Sequence, residues 1–159
     1  MRHFIIDGET VGVSIIPVTA NGACLFNFIS LALFGTEEQS YNIRKDIVDH
    51  VCNNFDHYGK FMTSDVRTPQ KYRELMMKPH TYGTFTELVA ASTIFKVRII
   101  VFRSGVLECD IGKQFNKNYI LSDFSGKRDS GHFNYAQPTT TTTTTTNKQQ
   151  TNNKNNKNK

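Results

Sequence analysis

The chain has 159 residues, 38% of them hydrophobic and 21% charged, which suits one domain with a core of its own. Its formal net charge is +5, but Lys148, Lys154, Lys157 and Lys159 supply four of those charges in a segment without an acid, leaving residues 1–138 near neutral. Lys and Arg do not cluster there, so no specific nucleic-acid partner is expected, and no apolar run is long enough to cross a membrane.

From Thr139 onward come eight consecutive threonines, then only Asn, Lys, Gln and one more Thr. With nothing apolar to bury, residues 139–159 are expected to be a disordered tail after a domain spanning 1–138. Asp7, Gly8 and Glu9 interrupt the early apolar run, so no secretory leader is expected. Cys24, Cys52 and Cys109 are odd in number and irregularly spaced, which fits a reducing compartment, cytoplasmic or nuclear, better than a disulfide framework.

In chain order, Phe4-Ile5-Ile6 and Val11–Ile16 flank Asp7-Gly8 and predict a hairpin. A loop, Val18–Ala23, leads into Cys24–Phe34, whose residues leave almost no polar side and predict a helix buried all round, ended by Gly35. Thr36-Glu37-Glu38-Gln39 has the pattern of a capping box. It precedes a second helix with Tyr41, Ile43, Ile47, Val48 and Val51 on its apolar face and Arg44, Lys45, Asp46 and Asp49 opposite, ending near Phe55. Thr68-Pro69 starts a third helix, stopped by Pro79, and Thr84-Phe85-Thr86-Glu87 caps a fourth that runs through Ile94. Val97–Phe102 reads as a strand covered on both faces, followed by short strands at Val106–Ile111 and Tyr119–Leu121. Asp123–Gly131 reads as an exposed loop, and His132–Ala136 as a closing strand. Helices early and strands late predict an α+β domain.

Two places carry chemistry. Cys24 opens a helix after a glycine loop, where the helix dipole and unpaired N–H groups favour a thiolate. Far along the chain, His132 and Asn134 project from one face of the same strand, so the amide can hold the imidazole for a thiol. Taken singly, Cys24 fits a buried core thiol and His132 a structural histidine; their conjunction points to nucleophilic catalysis.

These segments resemble the ovarian-tumour (OTU) family of papain-like cysteine proteases, mostly deubiquitinases. The family pattern Asp-Gly-Asn-Cys-Leu-Phe is matched by Asn21-Gly22-Ala23-Cys24-Leu25-Phe26, its Trp-Gly segment by Tyr82-Gly83-Thr84 with Glu87, and its His-Tyr-Asn by His132-Phe133-Asn134. The likeness extends over residues 15–137. It implies a papain-like fold with a small central β-sheet packed between helices, and hydrolysis after the C-terminal glycine of ubiquitin or a ubiquitin-like conjugate. Cys24 would be the nucleophile, His132 the base and then the acid, and Asn134 the orienter. Asn21, Gly22 and Ala23 would form the oxyanion loop.

The chain departs from the family pattern where Asn21 replaces aspartate, Ala23 asparagine, Asn27 arginine and Tyr82 tryptophan. The altered loop leaves a second reading, a catalytically silent module that binds ubiquitin or another protein. Neither reading calls for a cofactor. His50, Cys52 and His57 lack metal-ligand spacing, so no metal site is expected, and a monomer is expected.

Overall fold

The computed structural model describes residues 2–62 and 66–139; residues 140–159 of the expected tail lie outside them. The hairpin forms as β1 (Arg2–Ile6) and β2 (Glu9–Ile16), with Asp7 and Gly8 both at positive φ, 51° and 79°, as a tight turn between twisted strands requires. Five helices follow: α1 (Cys24–Phe34), α2 (Ser40–Asn53), the short α3 (Phe55–Tyr58), α4 (Pro69–Met76) and α5 (Phe85–Phe95). The chain then makes β3 (Arg98–Arg103), β4 (Val106–Ile111), β5 (Tyr119–Ser125) and β6 (His132–Pro138). Beyond β6, the Thr139 N–H still donates to Gly12 O at 2.9 Å.

The six strands form one sheet in the order β1-β2-β6-β5-β3-β4, in which β3 and β5 are the parallel pair. The fold is α+β, with the long helical stretch inserted between the hairpin and the rest of the sheet. One sheet face carries Ile99, Val101, Phe124 and Phe133 against the helices. The other gathers Phe4, Ile6, Val13, Ile100, Phe102, Leu121 and Ala136, all from strands, with Phe4 and Phe102 stacked at 4.1 Å. The alternation of β3 between these two cores explains why its sequence is apolar without a break.

Several local expectations hold at the level of single atoms. Gly35 takes the left-handed conformation and its N–H bonds Leu31 O at 3.0 Å. Thr68 Oγ1 accepts the Lys71 N–H at the start of α4, and Glu87 Oε1 accepts both the N–H and the hydroxyl of Thr84 at the start of α5.

Four expectations change. The Thr36–Gln39 capping box does not form: Gln39 is the N-cap of α2 without a side-chain bond, and Glu37 turns away to Thr19. On α2, Arg44 is only 3% exposed whereas Tyr41 is 62% exposed, because α4 and the segment after it offer Arg44 backbone carbonyls inside the fold. Helix α1 is buried from Cys24 through Ser30, but its last turn opens and Phe34 is exposed. Finally, Asp123–Ser125 are strand rather than loop. Phe124 packs on Phe133 at 4.6 Å, Asp123 pairs with Arg2 at 2.7 Å, and Ser122 Oγ donates to Asn134 O, so polar residues continue β5 through specific partners.

Candidate active site

Cys24 is the first residue of α1 and 2% exposed. Its Sγ lies 3.5 Å from Gly131 O and also meets the backbone N–H of Phe133, so the sulfur rests against main chain on either side of His132. The N–H groups of Cys24 and Leu25, at the open start of the helix, also face it. Burial is the larger influence and pushes the thiol pKa up, with these N–H groups and the Arg44 charge opposing it. Burial therefore opposes the thiolate that the helix start favours. A neutral thiol donating to Gly131 O is consistent with that, since a carbonyl oxygen repels a thiolate.

His132 and Asn134 sit two residues apart on β6, as the strand period demands. His132 Nε2 is 2.8 Å from Asn134 Oδ1. That same oxygen accepts the Val18 N–H at 3.0 Å. A backbone N–H is only a donor, so the Asn134 atom facing it is the oxygen, and Nε2 must carry the proton it shares with Asn134. Nδ1 of a neutral His132 is then the basic nitrogen.

The loop before Cys24 is held at almost every residue. Thr19 gives its N–H and its hydroxyl to the two carboxylate oxygens of Glu37, at 2.8 and 2.7 Å. Asn21 Oδ1 accepts the Ala23 N–H at 3.1 Å, so this donor of the predicted oxyanion loop is engaged within the loop itself. His80 Nδ1 donates to Asn21 O at 2.8 Å. Gly22 stands at φ +80°, and a Cβ there would collide with the His80 carbonyl. The segment that presses on Gly22 is fixed from behind. Arg44 donates to the carbonyls of Met76, Pro79 and Thr81 at 2.7–3.1 Å, while its guanidinium lies 4.1 Å from the Phe26 ring centroid. Gly83 packs on Leu25 closely enough that a Cβ would meet its side chain. Below, Glu87 is buried and takes the Tyr72 hydroxyl at 3.1 Å; burial raises its carboxyl pKa.

The structure thus gathers Cys24, His132 and Asn134 at one place with Asn21, Gly22 and Ala23 beside them. Glu37, His80, Val18 and Gly131 belong to the same site and were not foreseen, because each acts through a long-range contact that no local pattern announces. A cavity of about 520 Å³ opens nearby between Phe85, Glu108, Phe124, Arg128 and Phe133, but neither Cys24 nor His132 lines it. Among the described residues, no group of three or more His, Cys, Asp or Glu side chains converges as metal ligands would.

A family model described as OTU-like cysteine protease matches residues 19–136. The chain belongs to the OTU-like cysteine protease family. Among curated proteins it is similar to ovarian tumor domain-containing deubiquitinating enzyme 7 of Arabidopsis thaliana, 31% identical over 104 residues, covering 65% of this chain and 28% of that protein. It is also similar to OTU domain-containing protein 5-A of Danio rerio, 26% identical over 97 residues, covering 61% and 17%. The matches thus span less than a third of either relative's length. Among solved structures, the viral OTU domain protease from Dera Ghazi Khan virus superposes with a TM-score of 0.69 at 16% identity, covering 87% of both chains. An ovarian tumor (OTU) domain in complex with ubiquitin superposes with a TM-score of 0.64 at 24% identity, covering 84% of this chain and 75% of that one.

Two outcomes follow from this geometry. Gly8 and Gly22 share nearly the same φ, 79° and 80°, but nothing lies within 4 Å of a Cβ at Gly8. Gly8→Ala should therefore cost about 1 kcal/mol for the left-handed backbone alone. Gly22→Ala should cost about 2 kcal/mol more in urea unfolding, because His80 must also move. In the free protein, alkylation of Cys24 by iodoacetamide, followed on its peptide by mass spectrometry, should rise only at pH values above those at which an exposed cysteine reacts. The raised pKa leaves less thiolate at any given pH.

Proposed function

We propose that the protein is a cysteine-type deubiquitinase that hydrolyses the peptide or isopeptide bond after the C-terminal glycine of ubiquitin or a ubiquitin-like protein. The observation that carries this reading is the Cys24 sulfur resting against the main chain beside His132, whose ring is held by Asn134. The family supplies the reaction class. The ubiquitin bound in one structural neighbour, and the name of the Arabidopsis relative, support the substrate.

In this mechanism the thiol leaves Gly131 O and passes its proton to Nδ1 of His132 as sulfur attacks the glycine carbonyl. Asn134 keeps Nε2–H in place and supports the imidazolium that forms. The N–H groups at the start of α1 receive the negative oxygen of the tetrahedral intermediate. When it collapses, the C–N bond breaks, His132 returns the proton to the departing lysine amine, and a thioester joins ubiquitin to Cys24. Water, deprotonated by His132, then attacks the thioester, releasing the glycine carboxylate and restoring the thiol.

A ubiquitin carrying a C-terminal electrophile should attach to Cys24, and ubiquitin chains should be cleaved. Cys24→Ala should abolish both, and His132→Ala should lower kcat by about 10²–10⁴. Binding of ubiquitin without turnover by the wild type would favour the silent module. Absence of both labelling and cleavage in folded protein, across ubiquitin and ubiquitin-like substrates, would reject the reading.

A further inference from the structure

Asn27 is the polar residue in the apolar start of α1, and it is 5% exposed. A buried carboxamide is retained only when its donors and acceptor are used. Here Nδ2 donates to Thr19 O at 3.2 Å and to Asn21 Oδ1 at 3.1 Å, while the Asn27 main-chain N–H donates to Ala23 O at 2.8 Å. One residue thus holds three acceptors of the loop that precedes Cys24. The amide orientations are unambiguous: both partners of Nδ2 are oxygens, and Asn21 Oδ1 is fixed as oxygen by the Ala23 N–H.

Positions 21 and 27 are two of the places where the chain departs from the OTU pattern, with amides in place of an acid and an arginine. The structure shows these side chains in contact. Changing one alone would leave a charge facing a neutral amide in a partly buried contact, without its ionic partner. Changing both preserves a hydrogen bond without an ion pair. Glu37 completes the brace by taking the remaining polar groups of Thr19 from the solvent side.

We propose that Asn27 and Asn21 are a coupled positioning pair that holds residues 19–23 in the conformation presented to the substrate carbonyl, an amide pair acting in place of an ion pair. The catalytic half of this inference rests on the deubiquitinase reading; the structural half does not. The pair acts through the loop and touches neither substrate nor sulfur. Its loss should therefore slow the chemical step more than it weakens ubiquitin binding.

The test compares the full chain with Asn27→Ala, Asn27→Leu, Asn21→Ala, the 21/27 double alanine variant, Asn27→Arg and Asn21→Asp/Asn27→Arg. Asn27→Leu keeps the branched shape and the number of side-chain heavy atoms without the amide, should the alanine variant fold poorly. Amide hydrogen exchange should quicken about tenfold at Thr19 and Ala23 in Asn27→Ala or Asn27→Leu, in line with the loss of a hydrogen bond, and stay unchanged in β3. On a ubiquitin C-terminal amide substrate, kcat should fall by about tenfold or more with KM nearly constant. The double alanine variant should lose less than the sum of the two singles, since both remove the one shared bond while each also removes a bond of its own. Asn21→Asp/Asn27→Arg should recover activity and protection that Asn27→Arg loses. Unchanged loop exchange in Asn27→Leu, or additive effects of the two alanine changes, would overturn the pairing. A wild type without turnover would reject the deubiquitinase reading instead, while the exchange data would still decide the pairing.

Discussion

The carboxamide oxygen of Asn134 is the acceptor on which the site depends. It takes the N–H of Val18 and faces Nε2 of His132, so one atom joins the loop entering the helix to the histidine on the last strand. The first bond fixes the amide orientation; the second then fixes the imidazole tautomer. A base with its lone pair on Nδ1 and a loop anchored at Val18 are consequences of a single placement. That placement follows from β6 pairing with both β2 and β5, which sets the height of Asn134 in the sheet.

Around this point the fold uses polar side chains, Asn27 and Arg44 buried and Asn21, Glu37 and His80 nearer the surface, to hold backbone where regular structure gives little support. Thr19 and Asn21 have no strand or helix to pair with and the Ala23 N–H has no helical partner, yet these main-chain groups find Glu37, Asn27, His80 and Asn21. Arg44 does the same for the carbonyls of Met76, Pro79 and Thr81. An unpaired backbone group in such a setting costs as much as a lost hydrogen bond, so the side chains here specify the loops rather than merely fill space. Gly22 fits because two such loops meet there with no room for a Cβ.

Much of this was legible in the sequence where the signal is local. The Asp7-Gly8 turn, the Gly35 stop and the start of α5 are set by residues within a few positions of one another, and each forms as read. So is the His132–Asn134 contact, which needs only the strand period. The failures share a cause. Thr36 and Gln39 had the right spacing for a capping box and Arg44 the right spacing for a solvent face, but the Gln39 N–H goes to Ser30 Oγ and Arg44 to backbone carbonyls, partners brought close by tertiary folding. Phe124 extends a strand that looked finished at Leu121, because Ser122 and Asp123 are satisfied by Asn134 and Arg2. The helix-start argument for a low thiol pKa was sound as electrostatics, and burial outweighs it.

The most direct test of the account is the protonation pattern of the His132 ring in the free protein, read from its ¹⁵N chemical shifts and one-bond N–H couplings at a pH where the imidazole is neutral. The account predicts a protonated Nε2 and a lone pair on Nδ1 in the wild type, with a mixture of tautomers once Asn134 is replaced by alanine. A proton on Nδ1 in the wild type would contradict it, since the ring would then have no basic nitrogen to offer Cys24 while held by Asn134.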